Sequence, residues 1–382
     1  MTRILILGGY GVFGGRAAER LARDPGLAGE ARLEIIIAGR NLAAAEAKAR
    51  ALAGPGKTRL EAAALDATAL TAGDLRGLGA TIVLNTAGPY QARDYRVPMA
   101  AIEAGAHYID LADARGFVTG IGALDAAARA ASVLVVSGAS SVPALAAAVI
   151  DTLMGSFATL DAVTYGISPG NSFDPGEATT ASILGAAGRP FTTLVDRRMT
   201  TVHGWQPLTR HRFADAEIGS RLLGACDVPD LDLFPARYPT LRTQRFLAGV
   251  EVKAFHAGIW ALSWLVRAGL LARPERLGRP MLAVKRRLGF LGSDRGAMFV
   301  TLEGTDAAGS ARRVTWTLVA RQGHGPFIPA TPAVILAKRL AGRDPTLRGA
   351  PPLRGAMPCV GLFTLDEFTA EVADLDIRQT IT

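Results

Sequence analysis

The sequence predicts an α/β fold, with an N-terminal domain on a parallel sheet followed by a second α+β domain. Three observations predict it. Over residues 1–150, short apolar runs alternate with stretches whose alanines and leucines recur at helical spacing, the form of repeated β-α units. Between the first apolar run and the first helix lies a glycine-rich turn, Gly8-Gly9-Tyr10-Gly11-Val12-Phe13-Gly14. Past residue 150 the alternation gives way to a Gly/Ser/Asn/Asp/Pro-rich stretch at 168–176 and, near 297–320, to two β-prone runs joined by a turn.

Taken in order, the apolar runs predict strands at 4–7, 33–38, 61–65, 81–85, 108–111 and 133–137. Helices are predicted at 14–23, 43–53, 98–104 and 124–131. Six strands in this alternation suit a Rossmann dinucleotide-binding domain. A helix from 143 to about 153 then leads into a strand near 162–168. A helix follows at 179–187, then β-like runs around 191–201 and a polar irregular segment reaching about residue 247. Two helices, at 258–271 and 280–288, precede a hairpin of 297–303 and 313–320. The domain organisation is therefore 1–150 for the Rossmann domain and 151–325 for an α+β substrate or closing domain. The remainder, 326–382, is a C-terminal segment open to a return to the first domain.

Length and composition fit this division. A chain of 382 residues exceeds what one core usually organises. Apolar residues at 49% and charged residues at 20% are globular values that predict order nearly throughout. The two cysteines, Cys226 and Cys359, have no metal-ligand or disulfide spacing, which indicates a reducing compartment and no metal. The N-terminal residues pass straight into a strand, and the apolar stretch 257–272, broken by Arg267, is too short to span a bilayer. A cytoplasmic protein is expected, with peripheral attachment to a membrane surface left open.

Net charge is +8, and between Val252 and Gly292 eight basic residues face one acid, Glu275. That segment reads either as a solvated basic helix face or as a contact for anionic lipid. Trp260 and Trp264, with Leu262, Leu265 and Val266, read either as a core stripe or as the apolar side of a helix lying in a membrane interface. No nucleic-acid reader motif accompanies the charge, so a nucleic-acid partner is not expected.

The chemistry is carried by the first domain. Gly9, Gly11 and Gly14 form a GxGxxG pattern after a buried-type strand and before a helix. Gly9 allows a tight turn, Gly11 lets the backbone approach a pyrophosphate, and Gly14 allows close helix–strand packing. Tyr10, Val12 and Phe13 complete that loop. At the end of the second strand, where NAD-binding domains carry an acid for the ribose hydroxyls, this chain has Gly39-Arg40-Asn41. A carboxylate would repel a 2′-phosphate, whereas Arg40 can bond it in a fork, so the cofactor is read as NADP(H). Asp66, closing the third strand, either reaches the adenine edge or caps the next helix. Asn85, Ala87, Gly88 and Pro89, at the end of the fourth strand, are expected to line the cofactor on its nicotinamide side.

The pieces GGYGVFG, AGRN, LNTAGPY, AGAHYIDLAD and SGASSVPALAAAVID, in this order, resemble the NADP-binding domain of saccharopine dehydrogenase-like oxidoreductases. The resemblance covers roughly residues 1–150. It implies an NADP(H)-dependent dehydrogenase or reductase whose second α+β domain closes over the nicotinamide. It transfers no substrate, since relatives act on amino-acid imines or look like enoyl reductases of lipid pathways. Relatives often carry Phe-Asp-Ser-x-Pro where this chain has Ala139-Ser140-Ser141-Val142-Pro143, so the acidic member is missing.

The reading is thus hydride transfer to or from a small or lipid-linked substrate at a C=N, C=O or C=C bond. A non-catalytic NADP-binding sensor or scaffold is the alternative, and a homodimer is compatible with either. Tyr90, Asp113 and His324 are the candidate proton donors. Tyr90 follows the Gly-Pro turn and Asp113 ends the fifth strand, where a proton donor would sit, and His324 is flanked by glycines that would let a ligand approach. For each, a structural role is the favoured reading.

Overall fold

The computed structural model describes residues 2–24, 33–54, 58–91, 93–342 and 354–382. Two compact units share the chain: Met1–Leu145 with Pro326–Glu371, and Ala146–Gly325 with Val372–Thr382.

In the first unit, strands β1 (Thr2–Leu7), β2 (Leu33–Gly39), β3 (Arg59–Ala64), β4 (Ile82–Asn85), β5 (His107–Asp110) and β6 (Leu134–Ser137) alternate with helices. These are α1 (Val12–Arg23), α2 (Leu42–Leu52), α3 (Ala72–Gly77), α4 (Arg96–Ala104), α5 (Arg115–Gly120) and α6 (Asp125–Ala130). A seventh strand, Gly355–Pro358, pairs with β6, giving the order Gly355–Pro358, β6, β5, β4, β1, β2, β3, with every pairing parallel. The fold class expected of this half is the one found; the sixfold strand count is short by the late strand, whose four residues, GAMP, carry no β signal of their own.

Parallel sheets are covered on both faces, and the strands show it. Ile4 to Leu7 and Ile35 to Ala38 are at most 1% exposed, which is why they read as unbroken apolar runs. Alternate residues of each strand face opposite ways. Leu5, Leu7, Ile36, Val83, Tyr108 and Val135 join a core with Leu75, Val97, Ala101 and Ile102 of α3 and α4. The helix Thr331–Leu340 packs against α1, β4 and β5. The one acid inside β2, Glu34, is held by Arg3 Nε at 2.7 Å and Arg59 Nη1 at 3.0 Å. Removing either arginine would leave a nearly buried carboxylate short of charge compensation.

The second unit opens with α7 (Ala146–Leu153) and β7 (Thr159–Ser168), then α8 (Gly176–Ala186), β8 (Pro190–Val195) and β9 (Arg198–His203). β10 (Thr209–Arg212), β11 (Ser220–Ala225), α9 (Asp230–Arg237) and β12 (Thr243–Ala248) follow. Next come α10 (Lys253–Arg267), α11 (Gly278–Arg287), β13 (Gly296–Thr305) and β14 (Ala311–Ala320), and a last strand, Ile377–Ile381, closes the unit. Its main sheet runs β10, β11, β12, β7, β13, β14, Ile377–Ile381, with only β7 and β12 parallel.

The segment expected to be irregular as far as residue 247 is corrected here, since it contains β10, β11, α9 and β12. β11 reads SRLLGA because Arg221 is buried and paired with Glu251 at 3.1 Å, which breaks the apolar alternation a strand normally displays. The runs near 191–201 form a hairpin whose turn residues, Asp196 and Arg197, both have positive φ. Among the described residues, no helix is long and apolar enough to cross a membrane.

Candidate cofactor-binding site

β1 pairs with β2 on one side and β4 on the other, so the chain reverses its direction of travel through the sheet at β1. In open α/β sheets, ligands bind outside the strand ends at such a switch point. The glycine loop sits there. Gly8 takes φ +77°, a conformation that favours glycine, and Gly11 N–H donates to Gly8 O at 2.8 Å to close the turn. Gly11 then caps α1 with no side-chain capping bond, and the first turn carries no acid. Helix N–H groups and dipole are therefore presented to an anion.

The glycines differ in what surrounds them. A Cβ on Gly14 would collide with Gly8 O and Thr86 Oγ1, so the third glycine is required by packing of α1 against the end of β4. Thr86 is fixed by donating its hydroxyl to Leu7 O at 2.7 Å. A Cβ on Gly11, in extended backbone, would meet only Gly8 O, at 3.0 Å. Bare backbone at that position leaves room for a pyrophosphate without being demanded by the fold.

At the end of β2, Gly39 lies under the Tyr10 ring, which a Cβ there would approach to 2.5 Å. The Tyr10 hydroxyl accepts from Asn41 N–H at 3.1 Å, and the Asn41 side chain caps α2 by accepting from Ala44 N–H at 3.1 Å. Arg40 is exposed beside them and close enough to Asp66 to stabilise its carboxylate. Asp66 accepts from the Thr68 N–H and hydroxyl, both at 2.8 Å, and these bonds hold its carboxyl below the usual range. The loops after β1, β2 and β3 thus offer an open helix N-terminus, one cation and a local Asx turn.

A cavity of about 200 Å³ opens at the end of β4, lined by Thr68, Asn85, Ala87, Tyr90, Arg93 and Phe117 among others. Asn85 is buried, its Oδ1 accepting from Ala87 N–H and its Nδ2 donating to Tyr108 Oη, each at 3.1 Å. Gly88 and Pro89 are joined by a cis peptide, and Pro89 O accepts from Arg93 Nε at 3.1 Å. Tyr90 is 6% exposed. Its hydroxyl donates to Asn85 O at 2.6 Å, and its ring lies 5.5 Å from that of Phe117. Burial, with Asp110 next, raises its pKa well above that of a free phenol, so the hydroxyl keeps its proton at neutral pH at the wall of the cavity. Asp113 stands exposed and accepts from Gln91 Nε2 at 3.3 Å.

A residue the sequence did not single out joins these strand ends. Asp110 is fully buried at the end of β5, where one carboxylate oxygen accepts from Ala112 N–H (2.9 Å), Ser137 Oγ (2.9 Å) and Gly138 N–H (2.8 Å). Burial pushes its carboxyl up to about 6 against the opposing pull of those bonds. The available signal was an acid inside the apolar run YIDLA. Arg93 and Thr68 were missed because nothing in a loop sequence marks a cavity wall.

His324 belongs to the other unit, and its Nδ1 accepts from Asp376 N–H at 2.8 Å. His107 bridges strands through Nδ1, which accepts from Leu134 N–H at 2.9 Å. His211 stacks on Phe299 at 3.7 Å, and burial lowers both His211 and His256 to about 4. No cluster of potential metal ligands occurs among the described residues. Cys226 and Cys359 are free thiols, both raised by burial, Cys226 to about 12.

A parallel sheet with a glycine loop at its switch point and a cation in place of the ribose acid defines an NADP-binding oxidoreductase fold. Residues 4–136 match the sequence model of the saccharopine dehydrogenase NADP binding domain. This part of the chain is similar to that NADP-binding domain, which supports NADP(H) as its cofactor. The whole chain is similar in structure to apo saccharopine dehydrogenase (L-Glu forming) from Saccharomyces cerevisiae, at 14% identity and TM-score 0.66 with both chains covered in full. It also aligns with an amine dehydrogenase from Mycobacterium smegmatis, at 11% identity and TM-score 0.47 over 94% of each chain. No curated protein sequence matches it.

Proposed function

We propose that the chain is an NADP(H)-dependent oxidoreductase acting on a small or lipid-linked substrate, at a C=N, C=O or C=C bond. The observation that carries this is the composition of the switch point, where an open helix N-terminus follows Gly11 and Arg40 stands where an acid would select NAD(H). Gly9 to Gly14 would hold the pyrophosphate through backbone N–H groups, and Gly39, Arg40 and Asn41 the 2′-phosphate. Ala87, Gly88 and Pro89 would flank the nicotinamide side. When bound, the cofactor supplies a hydride donor or acceptor.

The chain's own residues supply placement and a proton. Asn85 and Tyr90 fix the end of β4 through the bond to Asn85 O. Asp110 ties the ends of β5 and β6 together. Asp113, exposed on the loop after β5, is the proton carrier this reading favours, with His324 as the candidate from the second unit. A cytoplasmic location with peripheral membrane contact through residues 252–292 completes the proposal.

The test follows NADPH loss with purified protein over 2-oxo acids with ammonia, aldehydes and ketones, and enoyl thioesters. Turnover of one class is expected, reduced by Asp113→Asn at unchanged NADPH affinity. No turnover of any class, with NADPH still bound, would favour a cofactor sensor instead.

A further inference from the structure

Helix α10 has an outward face without polar side chains. Its exposed positions between the terminal charges Lys253 and Arg267 are Ala254, Gly258, Ala261, Trp264 and Leu265. The opposite side buries His256, Ile259, Ser263 and Val266. A solvated helix normally carries charged or polar residues on its outer face. This one continues into further exposed apolar groups: Leu270 and Phe290 are each 77% exposed, and Val284 and Leu291 more than half. Of the twelve large apolar side chains that stand exposed among the described residues, seven lie between Trp264 and Leu291.

The cations of the same segment divide into two groups. Lys285 donates to the Asn171 and Phe173 carbonyls, Arg286 pairs with Asp174 at 2.8 Å, and Arg279 with Glu177 at 3.2 Å. Arg267 bonds Gln206 Oε1 and lies over the Trp264 ring. Lys253, Arg273, Arg276 and Arg287 are exposed and make no ion pair among the described residues. Uncommitted cations therefore border uncovered apolar side chains, with Glu275 as the one acid in the segment.

We infer that the exposed face of α10, with Leu270, Phe290 and Leu291, is a docking surface for an anionic lipid bilayer, held there by Lys253, Arg273, Arg276 and Arg287. This rests on the membrane contact in the proposed function and stands apart from its redox chemistry. Charge complementarity selects the occupant. A second copy of the chain meeting this face across a two-fold axis would set the same cations against each other. A bilayer with acidic headgroups takes up the apolar side chains and the cations together, and tryptophan is favoured at that boundary. Each cation near an acidic leaflet multiplies binding by about fivefold, an effect that salt weakens.

The full chain is sedimented with phosphatidylcholine vesicles, with and without phosphatidylserine, at low and high salt. Co-sedimentation is expected only with phosphatidylserine and at low salt. The triple variant Arg273→Gln, Arg276→Gln, Arg287→Gln should weaken it by at least about tenfold. Leu265→Ser with Phe290→Ser should also weaken it, while NADPH affinity, which reports on the first unit, stays unchanged in both variants. Equal binding to neutral vesicles, or none under any condition, would overturn the inference. So would a dimer, seen by light scattering and abolished by the two serine substitutions, or retention on polyglutamate without vesicle binding, which would assign the face to a protein.

Discussion

Asp110 is a residue whose chemistry is set by its surroundings. With no solvent contact, its carboxyl is raised to about 6, whereas an unfolded chain would leave it near 3.8. The folded state therefore holds the proton more tightly than the unfolded one. Stability from this source is fully present below about pH 4 and is lost as pH rises through about 6, by on the order of 3 kcal/mol. Asp110→Asn keeps an acceptor for Ala112 N–H, Ser137 Oγ and Gly138 N–H but does not titrate. Urea unfolding between pH 4 and 8 should give the variant a flatter stability profile than the parent. Identical slopes would show that Asp110 is not the group responsible. Arg40 presents the contrasting case, since the role proposed for it rests on its identity and its position after an apolar run, with no burial argument.

The glycine loop holds one glycine that packing requires and another that packing leaves open. Gly14 is closed in by Gly8 O and Thr86 Oγ1, whereas Gly11 faces open space beyond Gly8 O. Gly11→Val should therefore keep the fold and lose NADPH affinity by an order of magnitude or more. Gly14→Val should destabilise the unit by roughly 1–3 kcal/mol or more through overpacking. Circular dichroism melts alongside NADPH fluorescence titrations separate the two, and equal melting temperatures for both variants would contradict the distinction. This loop was legible in the sequence because strand, glycine spacing and helix follow one another within a few residues. The second unit was less so. β11 carries a buried arginine whose partner, Glu251, lies thirty positions away, and the β8–β9 turn uses Asp196 and Arg197 where positive φ normally brings asparagine or glycine. Gly355–Pro358 is a strand only because β6 offers an edge to pair with. In each instance the determining contact is distant in sequence, so no local pattern announces it.

At the scale of the molecule, the fold class and the cofactor were both readable, because a parallel sheet and its switch point impose local patterns that repeat along the chain. The exposed apolar face of α10 was readable only in part. Trp260 and Trp264 admitted two interpretations until the structure placed Trp264 and Leu265 outward and Ile259 and Val266 inward. If Arg40 reads a 2′-phosphate, titration of NADPH and NADH against the parent protein and Arg40→Ala reports it. The parent should bind NADPH at least about tenfold more tightly, the effect of one charge-assisted pair of roughly 1.5–3 kcal/mol. The variant should lose most of that difference by weakening NADPH alone. Equal affinities for the two cofactors in the parent, or a preference untouched by Arg40→Ala, would contradict that role.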